Sequence, residues 1–134
     1  MVACLPGRQT AAMEIFLVED SAMVRDRLQR MLSQVPGAHV GGHATQARAA
    51  IRDILEKKPD VVVLDLKLDE GSGFDVLKEV HEREPGIDFY MLSNFASEPY
   101  RRYATRLGAL DFFDKSNEFE RVRDVIAQRA QSAQ

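Results

Sequence analysis

Four apolar runs in this 134-residue chain each end on side chains able to do chemistry. Glu19 and Asp20 follow Ile15-Phe16-Leu17-Val18, and Asp65 follows Val61-Val62-Val63-Leu64 with Lys67 two residues on. Ser93 and Asn94 follow Tyr90-Met91-Leu92, and Asp114, Lys115 and Ser116 follow Phe112-Phe113. Taken singly, each has an ordinary explanation: an acidic pair caps a helix, an aspartate or serine forms a turn, a lysine is a solvated charge. Their recurrence at the same end of four separate runs is the signal. Clustered carboxylates repel and raise one another's pKa unless a cation stands among them. With oxygen donors and no His or Cys alongside, that cation is a hard one, and Mg²⁺ with several retained waters fits. A carboxylate beside Mg²⁺ and an ammonium is equipped to attack phosphorus, the positive charges offsetting those on the equatorial oxygens.

The elements that must position these groups are legible from hydrophobic periodicity. Strand-like runs fall at 14–18, 38–42, 61–66, 87–92 and 109–113. The third, Val61 to Leu64, is continuously apolar and β-branched, which describes a strand covered on both faces. Between the runs the period becomes helical. Val24, Leu28, Met31, Leu32 and Val35 stripe a first helix behind a Ser21 N-cap, stopped by Pro36-Gly37. Ala47, Ile51, Ile54 and Leu55 stripe a second, with Thr45 as its expected cap, and Phe74, Leu77 and Val80 a third. Pro99 opens a fourth that Gly108 ends, and Phe119, Val122, Val125 and Ile126 mark a fifth. Strict alternation with short connections predicts an α/β doubly wound parallel sheet, helices on both faces, with ligands beyond the carboxyl ends of the strands.

Composition agrees with one domain: 45% hydrophobic, 29% charged and net charge −3 describe a globular chain without the basic surplus of a free-standing nucleic-acid binder. The expected division is a weakly ordered lead-in over 1–12 and one domain over 13–134, with Met13 a candidate start. No apolar run approaches the roughly 20 residues needed to cross a bilayer, and Pro6, Gly7 and Arg8 interrupt any signal-peptide core. The single Cys4 excludes an intramolecular disulfide, so the expectation is a cytoplasmic protein without membrane attachment.

These motifs resemble the receiver domain of bacterial two-component response regulators, over about 13–129. The resemblance rests on Phe16-Leu17-Val18-Glu19-Asp20-Ser21, on Val61-Val62-Val63-Leu64-Asp65-Leu66-Lys67-Leu68 with Gly73 eight residues past the aspartate, on Met91-Leu92-Ser93, and on Gly108-Ala109-Leu110-Asp111-Phe112-Phe113-Asp114-Lys115. It implies a flavodoxin-like five-stranded sheet in the order 2-1-3-4-5 with five helices. Asp65 would be the phosphoacceptor, taking a phosphoryl group from the phosphohistidine of a sensor histidine kinase or phosphotransfer protein. Asp20, Asp65 and the backbone carbonyl of Lys67 would hold Mg²⁺, with Glu19 acting through water. Ser93, Lys115 and the backbone of Asn94 would bind the phosphoryl oxygens. Phe112 matches the aromatic switch position, its ring turning inward as Ser93 swings toward the phosphoryl group, with burial alone favouring that state. The face of the fourth helix, fifth strand and fifth helix would report the change, and Tyr100, Arg101, Tyr103 and Arg106 form a basic-aromatic cluster there for an output protein or a second copy.

Three residues depart from the family pattern. Ser116 replaces the usual proline after the lysine, so a trans Lys115–Ser116 bond is expected, cis costing roughly 3–4 kcal/mol before a non-proline. Asn94 replaces a small residue and narrows access to the site. Asp69 replaces a common proline and is expected to loosen its loop. The implied function is a stand-alone phospho-switch. Its alternative is a constitutive adaptor that never turns over phosphate, for which Asn94 and Ser116 speak. A haloacid-dehalogenase-type phosphatase would need a second acid where Lys67 stands, and a DNA-binding output would need about 60 further residues. No two of His39, His43 and His81 lie at metal-ligand spacing on one helix, so structural or surface roles are expected for them.

Overall fold

The structure is a computed structural model that describes residues 12–132; the lead-in expected over 1–12, Cys4 included, lies almost wholly outside the described residues. Five strands, β1 (Met13–Val18), β2 (Ala38–Ala44), β3 (Val61–Leu64), β4 (Asp88–Ser93) and β5 (Asp111–Asp114), alternate with five helices. These are α1 (Ala22–Leu32), α2 (Ala47–Lys57), α3 (Gly73–Arg83), α4 (Glu98–Leu107) and α5 (Arg121–Ser132). All strand pairings are parallel, giving the doubly wound sheet that the alternation predicts, and the order is β2-β1-β3-β4-β5, the flavodoxin-like one that the resemblance implies.

The two-residue period of a strand divides the core. Phe16, Val18, Val62, Leu64, Phe89, Met91 and Phe112 point to one face, where α2, α3 and α4 cover them with Ile51, Ile54, Leu77, Val80 and Ala104. Ile15, Leu17, Val61, Val63, Leu92 and Phe113 point to the other, against Leu28, Leu32, Val122 and Ile126 of α1 and α5. Because adjacent residues of β1, β3 and β4 feed opposite cores, these strands cannot slip by one residue without exchanging both sets. Edge strand β2 is less constrained, and its pairing with β1 shifts register between Ile15 and Phe16, opposite Gly41.

Local chemistry sets the helix starts on the functional edge. Ser21 caps α1, its hydroxyl accepting from Val24 N–H, as the sequence predicts. Ser72 and Asp75 form a reciprocal capping box on α3. Gly108 ends α4 at φ 117, a left-handed turn that favours glycine. Thr45 is not the cap of α2. Gln46 holds that position without a side-chain bond, and Thr45 serves the neighbouring loop instead. There its carbonyl accepts from Asp69 N–H at 3.1 Å, while Glu70 O accepts from Ala47 N–H at 2.8 Å. At position 69, where a loosened loop is expected, the aspartate keeps a backbone donor that a proline lacks, and the donor ties the loop after Asp65 to the start of α2.

Candidate functional site

The carboxyl ends of β1, β3, β4 and β5 bring the chemically active residues together. Glu19 and Asp20 leave β1 in the turn before α1, and Asp65 sits directly after β3 with its backbone N–H bonded to Val18 O. Ser93 is the last residue of β4, and Lys115 follows β5 with its N–H bonded to Ser93 O at 3.1 Å. Carboxylate oxygens of Glu19, Asp20 and Asp65 lie within 4.8 Å of one another.

Burial makes this cluster electrostatically demanding. Glu19 is 2% exposed, Asp65 6% and Ser93 0%. The Lys115 ammonium reaches between the first two, 2.7 Å from Glu19 Oε1 and 2.8 Å from Asp65 Oδ2. One cation thus neutralises two carboxylates at charge-assisted hydrogen-bond distance. The remaining oxygens are also occupied: Glu19 Oε2 accepts from Ser21 N–H at 2.9 Å, and Asp65 Oδ1 from Leu66 N–H at 2.7 Å. Burial pushes the Glu19 carboxyl above its ordinary pKa despite the opposing bonds from Lys115 and Ser21, and the Asp65 charge adds to the rise. For Lys115, burial favours the neutral amine, but the hydrogen bonds to Asp65 and Glu19 outweigh it and the pKa ends raised. Glu19 thus bonds Lys115 directly, a contact separate from the water-mediated role toward a metal ion expected of it.

The donor set fits a hard divalent cation. It is oxygen only and two carboxylates deep, with Asp20 half-buried at the mouth where an ion keeping several waters would enter. The Lys67 side chain is exposed. Ser93 Oγ accepts from Phe95 N–H at 3.1 Å, and Asn94 is exposed at the rim. Phe112 is 4% exposed, packed inward in the core beneath α4. No peptide bond among the described residues is cis, so Lys115–Ser116 is trans as expected. A groove of about 630 Å³ between α2 and α3, lined by Arg48, Asp75, Lys78 and Glu79, takes in none of these residues.

The basic-aromatic cluster of α4 splits in two. Tyr100 and Tyr103, 41% and 42% exposed, lean toward α3, where Tyr103 meets the Phe74 ring edge-on at 4.8 Å and Tyr100 lies 6.2 Å from Phe95. Arg106 is exposed one turn beyond Tyr103. Arg101 points the opposite way and is not a free surface charge: its guanidinium donates to Ala96 O, Phe112 O and Glu118 Oε1. Two contributors to the site carry no signal of their own in the sequence. Arg25 donates to Glu19 O at 2.8 Å, and Glu118, which reads as one more residue of a mixed-charge helix start, bonds the backbone beside Lys115.

The family model described as "Response regulator receiver domain" matches residues 15–127. The chain is 30% identical over 112 residues to the chemotaxis protein CheY of Thermotoga maritima, covering 84% of this chain and 92% of that protein. It is 37% identical over 101 residues to a protein-glutamate methylesterase/protein-glutamine glutaminase of Geobacter sulfurreducens, covering 75% of this chain. It spans only 27% of that relative's length, so the likeness is to one part of a larger protein. Among solved structures, the response regulator domain of Thermotoga maritima CheB superposes with a TM-score of 0.80 at 26% identity, over 91% of this chain and 96% of that one. Fold, acidic edge and sequence therefore converge, and this chain belongs to the response regulator receiver domain family.

Proposed function

We propose that the chain is a phosphorylation switch in which Asp65 accepts a phosphoryl group from a sensor-kinase or phosphotransfer-protein phosphohistidine with Mg²⁺ bound at Asp20 and Asp65. The observation that carries this reading is the shared ammonium: Lys115 bridges Asp65 and Glu19 in a buried site where an unshared carboxylate pair would be costly. Asp20, Asp65, the backbone carbonyl of Lys67 and, through water, Glu19 would hold Mg²⁺, which when bound would supply neutralisation of the phosphoryl oxygens and of the carboxylates. The protein's own groups do the rest. Asp65 Oδ1 is oriented by Leu66 N–H, and Oδ2, which accepts from Lys115 at 2.8 Å, is the attacking oxygen. It forms the new O–P bond as the P–N bond to histidine breaks, and the imidazole leaves with the electron pair. Lys115 then moves from Asp65 to a phosphoryl oxygen, and Ser93 Oγ leaves Phe95 N–H for another, while Asn94 N–H offers a third contact.

That exchange gives the switch its coupling. Phe95 lies beside Tyr100, so release of its N–H by Ser93 alters the aromatic surface of Phe95, Tyr100 and Tyr103 flanked by Arg106. Phe112 and Arg101 sit on the far side of α4 and carry the change toward β5 and α5. Output is binding to a partner protein or a second copy through α4 and its neighbours, and no direct contact with nucleic acid or membrane is proposed. No described helix is long and apolar enough to cross a membrane, and the proposed setting is the cytoplasm. Intact mass after incubation with acetyl phosphate tests the reading. A phosphoryl-sized gain that requires Mg²⁺ and disappears in Asp65→Asn is expected, and a gain independent of Asp65 would overturn it.

A further inference from the structure

We propose that Glu118 and Arg101 form a latch that holds Lys115 where it must meet the phosphoryl group, an inference that rests on the phosphoaspartate reading above. Lys115 lies in the turn that joins β5 to α5, and Glu118 closes that turn from both sides. Glu118 N–H donates to Asp114 O at 2.8 Å, and Asp114 N–H donates to Glu118 Oε1 at 2.9 Å. Inside the ring so formed, Ser116 N–H donates to Asp114 Oδ1 at 2.8 Å and Asn117 Nδ2 to Asp114 Oδ2 at 3.3 Å. Neither Ser116 nor Asn117 restricts its backbone covalently, so these bonds are what fix the turn.

The Glu118 carboxylate is itself held from outside. Arg101 Nη2 reaches Oε1 at 3.1 Å and Arg121 Nη1 reaches Oε2 at 2.9 Å. The Asp114 N–H, followed by the two arginines against some burial, keeps this carboxyl below its ordinary pKa and hence an acceptor at neutral pH. Arg101 spends its other nitrogens on backbone: Nε donates to Ala96 O at 2.7 Å and Nη1 to Phe112 O at 2.8 Å. One guanidinium thereby ties the loop after Ser93, whose Phe95 N–H bonds Ser93 Oγ, to the turn that presents Lys115.

Magnitudes identify what the latch is for. Arg101 and Glu118 are 31% and 25% exposed, and an ion pair that open to water contributes at most about 1 kcal/mol to stability. Its effect on position is larger in proportion. Lys115 is a long, flexible side chain whose ammonium must sit within hydrogen-bond distance of Asp65, and a small displacement at its backbone carries through to the charge. Arg101 and Glu118 are therefore positioning residues, acting through the backbone of residues 114–116.

The test compares Glu118→Ala, Glu118→Gln and Arg101→Ala with the wild type in two ligand titrations and one ligand-free measurement. Mg²⁺ affinity, read by calorimetry, should stay within about twofold in every variant because its carboxylates are untouched. Beryllofluoride affinity at saturating Mg²⁺, read by amide NMR, should fall about tenfold in Glu118→Ala, the equivalent of ~1.4 kcal/mol. Glu118→Gln should recover most of that loss, since its amide oxygen still accepts from Asp114 N–H, and Arg101→Ala should lose part of it. Amide hydrogen exchange without ligand should rise at Asp114 and Ser116 in Glu118→Ala. Unchanged exchange or unchanged beryllofluoride affinity in that variant would overturn the latch, and so would equal weakening of Mg²⁺ and beryllofluoride, which marks a general loss of structure. Failure of the wild type to bind beryllofluoride would strike the phosphoaspartate reading instead, while the exchange result would still decide the latch.

Discussion

Replacing Lys115 by methionine should convert a neutralised cluster into two buried, uncompensated carboxylates, and the resulting loss of stability should depend on pH. The substitution nearly preserves side-chain length while removing the ammonium from 2.7 Å of Glu19 and 2.8 Å of Asp65. Breaking a buried ion pair by deleting one partner costs about 3–5 kcal/mol. Protonation of Glu19 limits that cost. Near pH 7.4 a glutamate is about three units above its ordinary pKa, so taking up a proton there costs ~4 kcal/mol, and the penalty per carboxyl cannot exceed that. The sign follows from linkage. Burial raises the folded pKa of Glu19 above its unfolded value, so the folded protein binds more protons between the two. The destabilisation is complete above the folded pKa and disappears below the unfolded one, and stability through Glu19 improves as pH falls. Lys115 behaves in the complementary way: its raised pKa contributes stability that is fully present below its unfolded value and is lost only as strongly alkaline pH passes the folded one. Across the neutral range the wild type therefore keeps its cation, while Lys115→Met should regain ~1.4 kcal/mol relative to it for each pH unit over which one extra proton is bound. Urea unfolding followed by circular dichroism, with chelator present, measures the difference from about pH 7.5 down to about pH 5.5. A variant as stable as the wild type at the upper end, or a deficit that does not change with pH, would refute the shared-cation account.

Other perturbations test neighbouring parts of the site. A Cβ on Gly73 would collide with the backbone carbonyl of Asp65 and press on Leu66, so Gly73→Ala should destabilise by about 1–3 kcal/mol and slow phosphorylation of Asp65, read by unfolding and by timed intact mass. Phe112→Ala should cost about 3–5 kcal/mol as a core cavity, because the ring is packed inward at 4% exposure. A loss under about 1 kcal/mol would show that the ring is not held inside. Asn94→Ala should speed both phosphorylation by acetyl phosphate and loss of the phosphoryl group, by opening the rim beside Ser93, while leaving stability within about 0.5 kcal/mol; unchanged rates would remove Asn94 from the access path.

The parts of the fold that sequence discloses are those where burial leaves no choice. Val61 to Leu64 is apolar at every position because both neighbouring cores draw on it, and that run places Asp65 at its end. Where burial is one-sided the boundaries drift. β2 runs on through His43 to Ala44, which Gly41 and Gly42 disguise, and β5 begins at Asp111, with Ala109 left as a buried loop residue. Glu19, Asp20, Asp65, Ser93 and Lys115 are legible because each lies at, or within two residues beyond, the carboxyl end of a strand, so one-dimensional position already gives three-dimensional neighbourhood. Arg101 and Glu118 are illegible for the opposite reason. They lie 17 residues apart among other charges, and what distinguishes them is a set of backbone carbonyls and amides that no side-chain pattern records. The same holds for Thr45, whose side chain advertises a cap while its carbonyl does the work of holding Asp69. The α4 cluster reads as one face in sequence, and only the helix's rotation about its axis sends Tyr100 and Tyr103 to Phe74 and Arg101 to Phe112.

The central claim is that the bond to phosphorus forms at Asp65. Borohydride reduction of the phosphorylated protein converts an aspartyl phosphate to homoserine at the residue that carried it, and peptide mass spectrometry then reads the position. Homoserine at 65, dependent on Mg²⁺ during phosphorylation, is the predicted result. Homoserine at another aspartate, the corresponding five-carbon alcohol at a glutamate, or an unreduced chain that nonetheless gained a phosphoryl group would contradict it.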